Sequence, residues 1–262
     1  MNDAPQMLHE NNVVDSEQKD KRTVRSKDFL KGRRREELSA EELRAVEDLI
    51  SEVRTVPARH NMIVAGEPVD FSTLLLEGTM CRYMDDRQGM RQLVALQVPG
   101  DFVDLHAFPL KYLDHDVATI TECQVAIVPH SALERIMEKF PHLARMLWFS
   151  TLLDAAMHRE WIFRLGRLDA AGRIAHFFAE INVRLHLVGR SDGNSFTLPI
   201  TQNDLAEALG MTTVHVNRVL RDLREQGVMT FRGGLVKIDD VERLHRIAEF
   251  ESRYLFTDTA AI

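Results

Sequence analysis

With 262 residues, 45% of them hydrophobic, the chain can bury a sizeable core, and its length points to two domains. No apolar run approaches the ~20 residues needed to cross a membrane, the N-terminal MNDAPQMLHENNVVDSEQKDKR lacks the apolar centre of a secretory signal, and two cysteines, Cys81 and Cys123, are too few for a disulfide framework or an all-cysteine iron–sulfur cluster. These features predict a cytoplasmic protein without a membrane partner; the formal net charge of −7 argues mildly against a polyanion-binding surface, although docking depends on local rather than total charge.

Residues 1–28 are polar, mixed in charge and aperiodic, and read as a disordered N-terminal tail. Lys31 to Glu36, KGRRRE, is a basic run that could touch a phosphate backbone but reads first as a solvated charge run before a helix. That helix begins at Ser39, whose hydroxyl and Glu42 make a capping box, with Leu43, Val46 and Ile50 on one face. Between residues 54 and 130 the period changes. NMIVAGEP, STLLLEGTMCRYM, RQLVALQVPGDF, VATITE and CQVAIVP are short, rich in β-branched residues and bounded by turn formers. Short strands at this spacing predict a small antiparallel barrel or roll, with corners at Gly66–Pro68, Glu77–Gly78, Asp85–Gly89 and Pro99–Asp101.

The helical period returns at Ser131. SALERIMEKF is a short amphipathic helix, and the segment from His142 to Arg167 is long and apolar nearly all round in its first half (Leu147, Trp148, Phe149, Leu152, Leu153). Such a helix needs cover on two sides, which predicts packing on the roll by one face and on a second subunit by the other; burial within one chain is the alternative. A helix from Asp169 to Leu187 follows, then a loop and a strand, FTLPI, leading to Thr201.

The stretch TQNDLAEALGMTTVHVNRVLRDLREQG, Thr201 to Gly227, reads as two short helices and a tight turn. Thr201 with Asp204 forms a capping box, Gly210 ends the first helix, and Thr212 or Thr213 caps the second, where Val216, Val219, Leu220 and Leu223 recur at helical spacing. An ordinary helical hairpin is the bland reading. Against it, Thr212, Thr213, His215, Asn217, Arg218 and Arg221 lie off the apolar face, and these side chains can reach phosphates and base edges. VMTFRGGLVKIDD adds a hairpin with a glycine turn at Gly233–Gly234, a wing beside the second helix, and VERLHRIAEF closes the domain.

The order of parts resembles the cyclic-AMP receptor protein and fumarate–nitrate regulator (CRP/FNR) family from about Leu38 to Phe250, most specifically in DLAEALGMTTVHVNRVLRDLREQG and in the pocket-like GDFVDLHAF, Gly100 to Phe108. The resemblance implies an α+β fold: a β-roll sensor domain over residues 29–140, a dimerisation helix over 141–168, a winged helix-turn-helix DNA-binding domain over 169–250, and a C-terminal tail over 251–262. It implies a homodimer on a palindromic site in double-stranded DNA, and makes RNA polymerase and a small-molecule effector candidate partners. By position, Thr213, Val214 and Arg218 fall where the family contacts bases; Thr212, His215, Gln202 and Arg232 fall where it contacts phosphates. Val214 stands where a glutamate is common, so the operator is expected to differ from that of the cyclic-AMP receptor protein.

The effector pocket implied by the resemblance involves Gly100, Asp101, Phe102, Val103, His106 and His115. Its usual phosphate-clamping arginine is missing: none occurs between Arg91 and Arg135, and the matching stretch is YLDHDVATI, with Asp114 and Asp116 and only Lys111 nearby. Cyclic AMP is therefore not expected to bind through that clamp. His106 and His115 could serve a metal or haem, and Cys81 and Cys123 a redox role, but isolated histidines near turns and buried thiols are the plainer reading, so no metal or cofactor is expected and the effector stays open. No nucleophile–base pair, Walker loop, HExxH or CxxC is present, which argues against an enzyme. The rival to a transcription regulator is a non-DNA-binding regulatory protein using the roll to hold a small ligand.

Overall fold

The computed structural model describes residues 24–258; the predicted disorder of residues 1–23 lies outside them. After a turn at residues 24–38, the chain runs through α1 (Ala40–Asp48), β1 (Glu52–Val56), β2 (Asn61–Ile63), β3 (Phe71–Glu77), β4 (Met80–Asp85), β5 (Arg91–Gln97), α2 (Ala107–Leu110), β6 (Asp116–Thr119) and β7 (Cys123–Pro129). The helices α3 (His130–Lys139), α4 (Pro141–Arg167) and α5 (Ala170–Leu187) follow. The C-terminal part holds β8 (Ser195–Thr197), α6 (Gln202–Leu209), α7 (Thr213–Glu225), β9 (Met229–Arg232), β10 (Leu235–Ile238) and α8 (Val241–Ala248).

The first seven strands form two facing antiparallel sheets, β1-β7-β3 and β2-β6-β4-β5. Period-2 alternation turns Ile63, Leu75, Met80, Val117 and Val125 inward to meet in one apolar cluster. Two elements here have no counterpart in the sequence reading. β1 is exposed at four of its five residues, so it carries no apolar alternation, and its place is set by pairing with β7. The single turn of α2 is too short to show a period.

α4 is the spine: 27 residues, with Leu143, Met146 and Leu147 packed on α1, α3 and the roll, and Leu153, Met157 and Trp161 packed on α5 and the DNA-binding half. α5 is buried on nearly every face, which explains its two adjacent fully buried phenylalanines, Phe177 and Phe178. Its N-cap is Asp169, whose carboxylate accepts from the Gly172 N–H at 2.8 Å. The strands β8, β10 and β9 form the wing.

The two halves share a continuous interface. Cys81, Tyr83, Leu93 and Leu96 of the roll belong to the same apolar cluster as Leu205, Leu209 and Val216. Arg59, in the β1–β2 turn, grips Asp204 at the start of α6 with two hydrogen bonds, 2.5 and 2.7 Å.

Sequence expectations change at the chain ends. Residues 24–28, assigned to the disordered tail, are ordered: Ser26 and Asp28 are buried, and Gly100 runs so close that a Cβ there would lie 2.4 Å from the Asp28 carbonyl oxygen. The run KGRRRE is only in part a solvated charge run, with Lys31, Arg34 and Glu36 exposed. Arg33 is buried, and Arg35 donates to the carbonyls of Ser26 and Phe29 at 2.9 and 2.8 Å. Residues 251–258, read as a C-terminal tail, pack against the rest of the chain. Leu255 is fully buried, the Tyr254 hydroxyl donates to Glu180 at 2.9 Å, and the Asp258 N–H donates to the Gly32 carbonyl at 2.9 Å. Both segments lack a readable period because they pack on each other and on α4 and α5 rather than on their own repeat. Leu255→Ala is expected to lower unfolding stability by about 2–4 kcal/mol, which urea denaturation followed by tryptophan fluorescence measures; a loose tail would leave the midpoint unchanged.

Candidate DNA interface and sensor pocket

α6 and α7 meet at Gly210, whose left-handed backbone (φ +60°) closes the turn. Both predicted caps are present: Thr201 and Asp204 exchange hydrogen bonds at α6, and the Thr212 hydroxyl accepts from the His215 N–H at 3.3 Å at α7. Burial raises the Asp204 carboxyl, but the Arg59 guanidinium and the Thr201 bonds outweigh it and hold it below the ordinary range. α7 buries Val216, Val219, Leu220 and Leu223 and leaves its opposite face to solvent.

On that open face Val214 is 78% exposed, and Arg218 lies one turn further along, exposed and reaching no carboxylate among the described residues. Thr213 and His215 are half-buried beside them, and Thr212 is exposed at the cap. Gln202, in the first turn of α6, and Arg232, at the end of β9, are both exposed. Two candidates are partly engaged already. The Asn217 amide donates to the Thr213 carbonyl at 2.9 Å, and Arg221 lies 3.8 and 3.9 Å from Asp222 and Glu225. An unengaged guanidinium on the exposed face can grip guanine O6 and N7 without first breaking an ion pair, which favours Arg218 over Arg221.

The residues expected to form an effector pocket split between two places, Gly100, Asp101 and Phe102 bordering one small cavity beside Asp28 and Arg184. Gly100 packs on Asp28, Phe102 meets Phe29 edge-on with ring centres 5.4 Å apart, and Asp101 accepts from Arg184 of α5 at 2.6 Å. Val103 is buried in the roll core. His106 and His115 come together elsewhere, rings 5.3 Å apart, and they are largely buried rather than the surface residues their isolation in sequence suggests. Burial and the nearby Arg82 push His106 down to about 3, so it is neutral. His115 Nδ1 lies 2.8 Å from Asp114. Among the described residues, no three His, Cys, Asp or Glu side chains cluster as metal ligands would. Cys81 and Cys123 are buried free thiols, and burial pushes Cys81 up to about 12.

Arg82 is the functional candidate that sequence reasoning missed. It projects from β4, donates from Nε to the Val103 carbonyl at 2.6 Å, and pairs with Asp154 of α4 at 2.6 Å. An arginine does stand beside the pocket segment, but it arrives from another strand and is consumed by a carbonyl and a carboxylate. No pattern in β4 marks it, since Met80, Cys81 and Tyr83 around it are buried as well.

A family model for a Crp-like helix-turn-helix domain matches residues 172–247, and one for a cyclic nucleotide-binding domain matches residues 53–140. The transcriptional activator protein FnrL of Cereibacter sphaeroides is 33% identical over 201 residues, 74% of this chain and 78% of that protein. The chain belongs to the CRP/FNR family of transcription regulators. The nitrogen fixation regulation protein FixK of Bradyrhizobium diazoefficiens is 30% identical over 176 residues, 66% of this chain and 72% of that protein. The structure of FixK2 from Bradyrhizobium japonicum aligns with a TM-score of 0.69 at 25% identity, covering 75% of this chain and 96% of that one. The protein is a DNA-binding regulator and not an enzyme, and no described helix is long and apolar enough to cross a membrane.

Within this CRP/FNR chain, Asp104 of the GDFVDLHAF segment is fully buried. Burial pushes its carboxyl up to about 7 against the bond from the Thr73 N–H, 2.5 Å away. Between the ordinary aspartate value and about 7, the folded state holds a proton that the unfolded state has released, so stability falls as pH rises through that window. Neutral buried His106 acts oppositely, losing stability as pH falls below its ordinary value of 6.5. Asp104→Asn keeps the acceptor for Thr73 and removes the first effect only. Its melting temperature should exceed that of the unsubstituted protein by more at about pH 8 than at about pH 5; a constant difference across that range would refute the buried-carboxyl reading.

Proposed function

We propose that the protein acts as a homodimer on a two-fold symmetric operator, reading bases through Thr213, Val214 and Arg218 and phosphates through Thr212, His215, Gln202 and Arg232. The observation that carries this reading is the exposed N-terminal face of α7, where a 78%-exposed valine sits beside an arginine that reaches no carboxylate among the described residues. An exposed valine contributes nothing to the monomer's own stability, whereas against a thymine methyl it gains apolar contact. Arg218→Ala should weaken binding to a selected operator about 5- to 150-fold over nonspecific DNA, the range of one lost bidentate base contact, with an unchanged melting temperature. Equal operator affinity in a gel shift would remove Arg218 from the reading set.

Support for the dimer comes from α4. Trp148, Leu152, Ala155, Arg159, Ile162 and Gly166 recur at alternating spacings of four and three along one side, and Trp148, Leu152 and Ile162 are 64%, 51% and 71% exposed. That is the seam of a two-stranded coiled coil, with small residues at Ala155 and Gly166 permitting close approach. The seam runs into an apolar cleft of about 620 Å³ lined by Leu105, Phe108, Leu110 and Trp148. Ile162→Glu should convert the protein to monomers in sedimentation velocity and reduce operator affinity at least tenfold, because each monomer then binds one half-site. A stable dimer in that variant would place the interface elsewhere.

The sensor half, on this reading, does not hold cyclic AMP by an arginine clamp. Arg82 is committed to Val103 and Asp154, Lys111 lies over the Phe108 ring, and Val103, Ala107, Leu113 and Val117 fill the roll interior next to the pocket segment.

A further inference from the structure

At the junction of the N-terminal segment, the roll and α5 lies a small cavity of about 20 Å³ bordered by Arg33, Gln97, Asp101, Ser150 and Arg184. It holds one water-sized group. Its walls carry unmet donors: Nε and Nη2 of Arg33 and Nε of Arg184 are buried and reach no acceptor among the described residues. The side-chain oxygen of Gln97 is likewise without a donor, and rotating that amide by half a turn would present its NH2 group instead.

Charge pairing around the cavity leaves one wall cation, Arg33, without a carboxylate in salt-bridge reach among the described residues. Arg184 is shared by Glu180 at 3.1 Å and Asp101 at 2.6 Å. Asp154 belongs to Arg82, and Asp28 to Lys31 and Arg190 at 3.7 and 3.8 Å. Arg164 stacks on Trp161, 3.9 Å from the ring centre, in the field of Glu180 and of the partly exposed Glu160. Of the cations on the cavity wall, Lys31 and Arg184 are paired, and Arg33, which feels Asp101 only at a distance, forms no ion pair among the described residues. Losing its proton does not resolve this: burial lowers Arg33 only to about 10, so it stays charged at neutral pH. A buried unpaired charge is expensive, and a water molecule would satisfy the N–H groups without balancing the charge.

We propose that this cavity is a binding site for one small monovalent anion of halide size, held by Arg33, Arg184 and the Gln97 amide. The size of the cavity excludes nucleotides and large organic acids, and the one guanidinium on its wall without an ion pair, Arg33, sets the valence. Arg33 lies on the N-terminal segment, Gln97 on the roll, and Arg184 on α5 within the helix-turn-helix match, so an anion there ties the sensor half to the DNA-binding half.

The test is thermal unfolding of the full chain at constant ionic strength, with sodium chloride replaced stepwise by sodium gluconate, whose anion is too large for the cavity. Chloride should raise the melting temperature by about 2–4 °C with saturation. Arg33→Met should abolish that dependence whatever its own melting temperature, and Gln97→Leu, which leaves the arginines in place, should weaken it. Crystals soaked in bromide should show an anomalous peak beside Arg33. Equal melting in the two salts, a chloride effect that survives in Arg33→Met, or a bromide peak without any chloride dependence would each overturn the proposal.

Discussion

Arg184 holds the molecule's two halves in one arrangement. From the last turn of α5 its guanidinium donates to Glu180 on its own helix and to the Leu96 carbonyl and Asp101 carboxylate of the roll. Burial opposes the charged forms of both Arg184 and Glu180, but their mutual attraction, with Asp101 and Arg164 contributing, outweighs it and keeps them ionised. Such a network adds little net stability over an apolar core of equal volume, because each ion loses its hydration. What it contributes here is geometry: a guanidinium with fixed donor directions accepts one arrangement of α5 against the β5 corner, where a greasy contact would tolerate several.

The ends of the chain depend on the same junction. Glu180 also accepts from Trp161 of α4 and from Tyr254, so α4 and the C-terminal turn are drawn onto α5. The N-terminal turn closes the other side, with Gly32 against Leu187, Arg34 over the Phe149 ring, and Asp258 bonded to both Gly32 and Arg34. Several of these contacts join residues more than a hundred positions apart, and the Asp258 bonds more than two hundred, which is why neither segment shows its role in local sequence. A second clasp, Arg59 to Asp204, sets the first helix of the helix-turn-helix on the roll while leaving α7 open.

In the sensor half, the family's pocket segment has been turned to structural work. Gly100, Asp101 and Phe102 fasten the roll to its neighbours, Val103 fills it, and Arg82 bridges β4 to α4. A signal that moved α4 against β4 would have to act on the Arg82–Asp154 pair, which lies within the field of His106 and His158. The output half is built the other way. The side chains proposed to read bases, Val214 and Arg218, are exposed and make no ion pair among the described residues, which leaves them available to DNA.

Sequence alone determined the elements whose signal is local. The capping boxes at Ser39 and Thr201, the glycine turn at Gly210, the 3.6-residue period of α7 and the two-residue period of most of the roll each arise from interactions within a few positions, and with them the family could be named from residues. Tertiary structure alone decided which of the predicted pocket residues meet, that Arg82 stands among them, that KGRRRE contributes a buried Arg33, and that the chain ends interlock. Those outcomes depend on which distant groups share a desolvated volume. A charged side chain in sequence is the same letter whether water or a carboxylate surrounds it, and only the fold chooses between them.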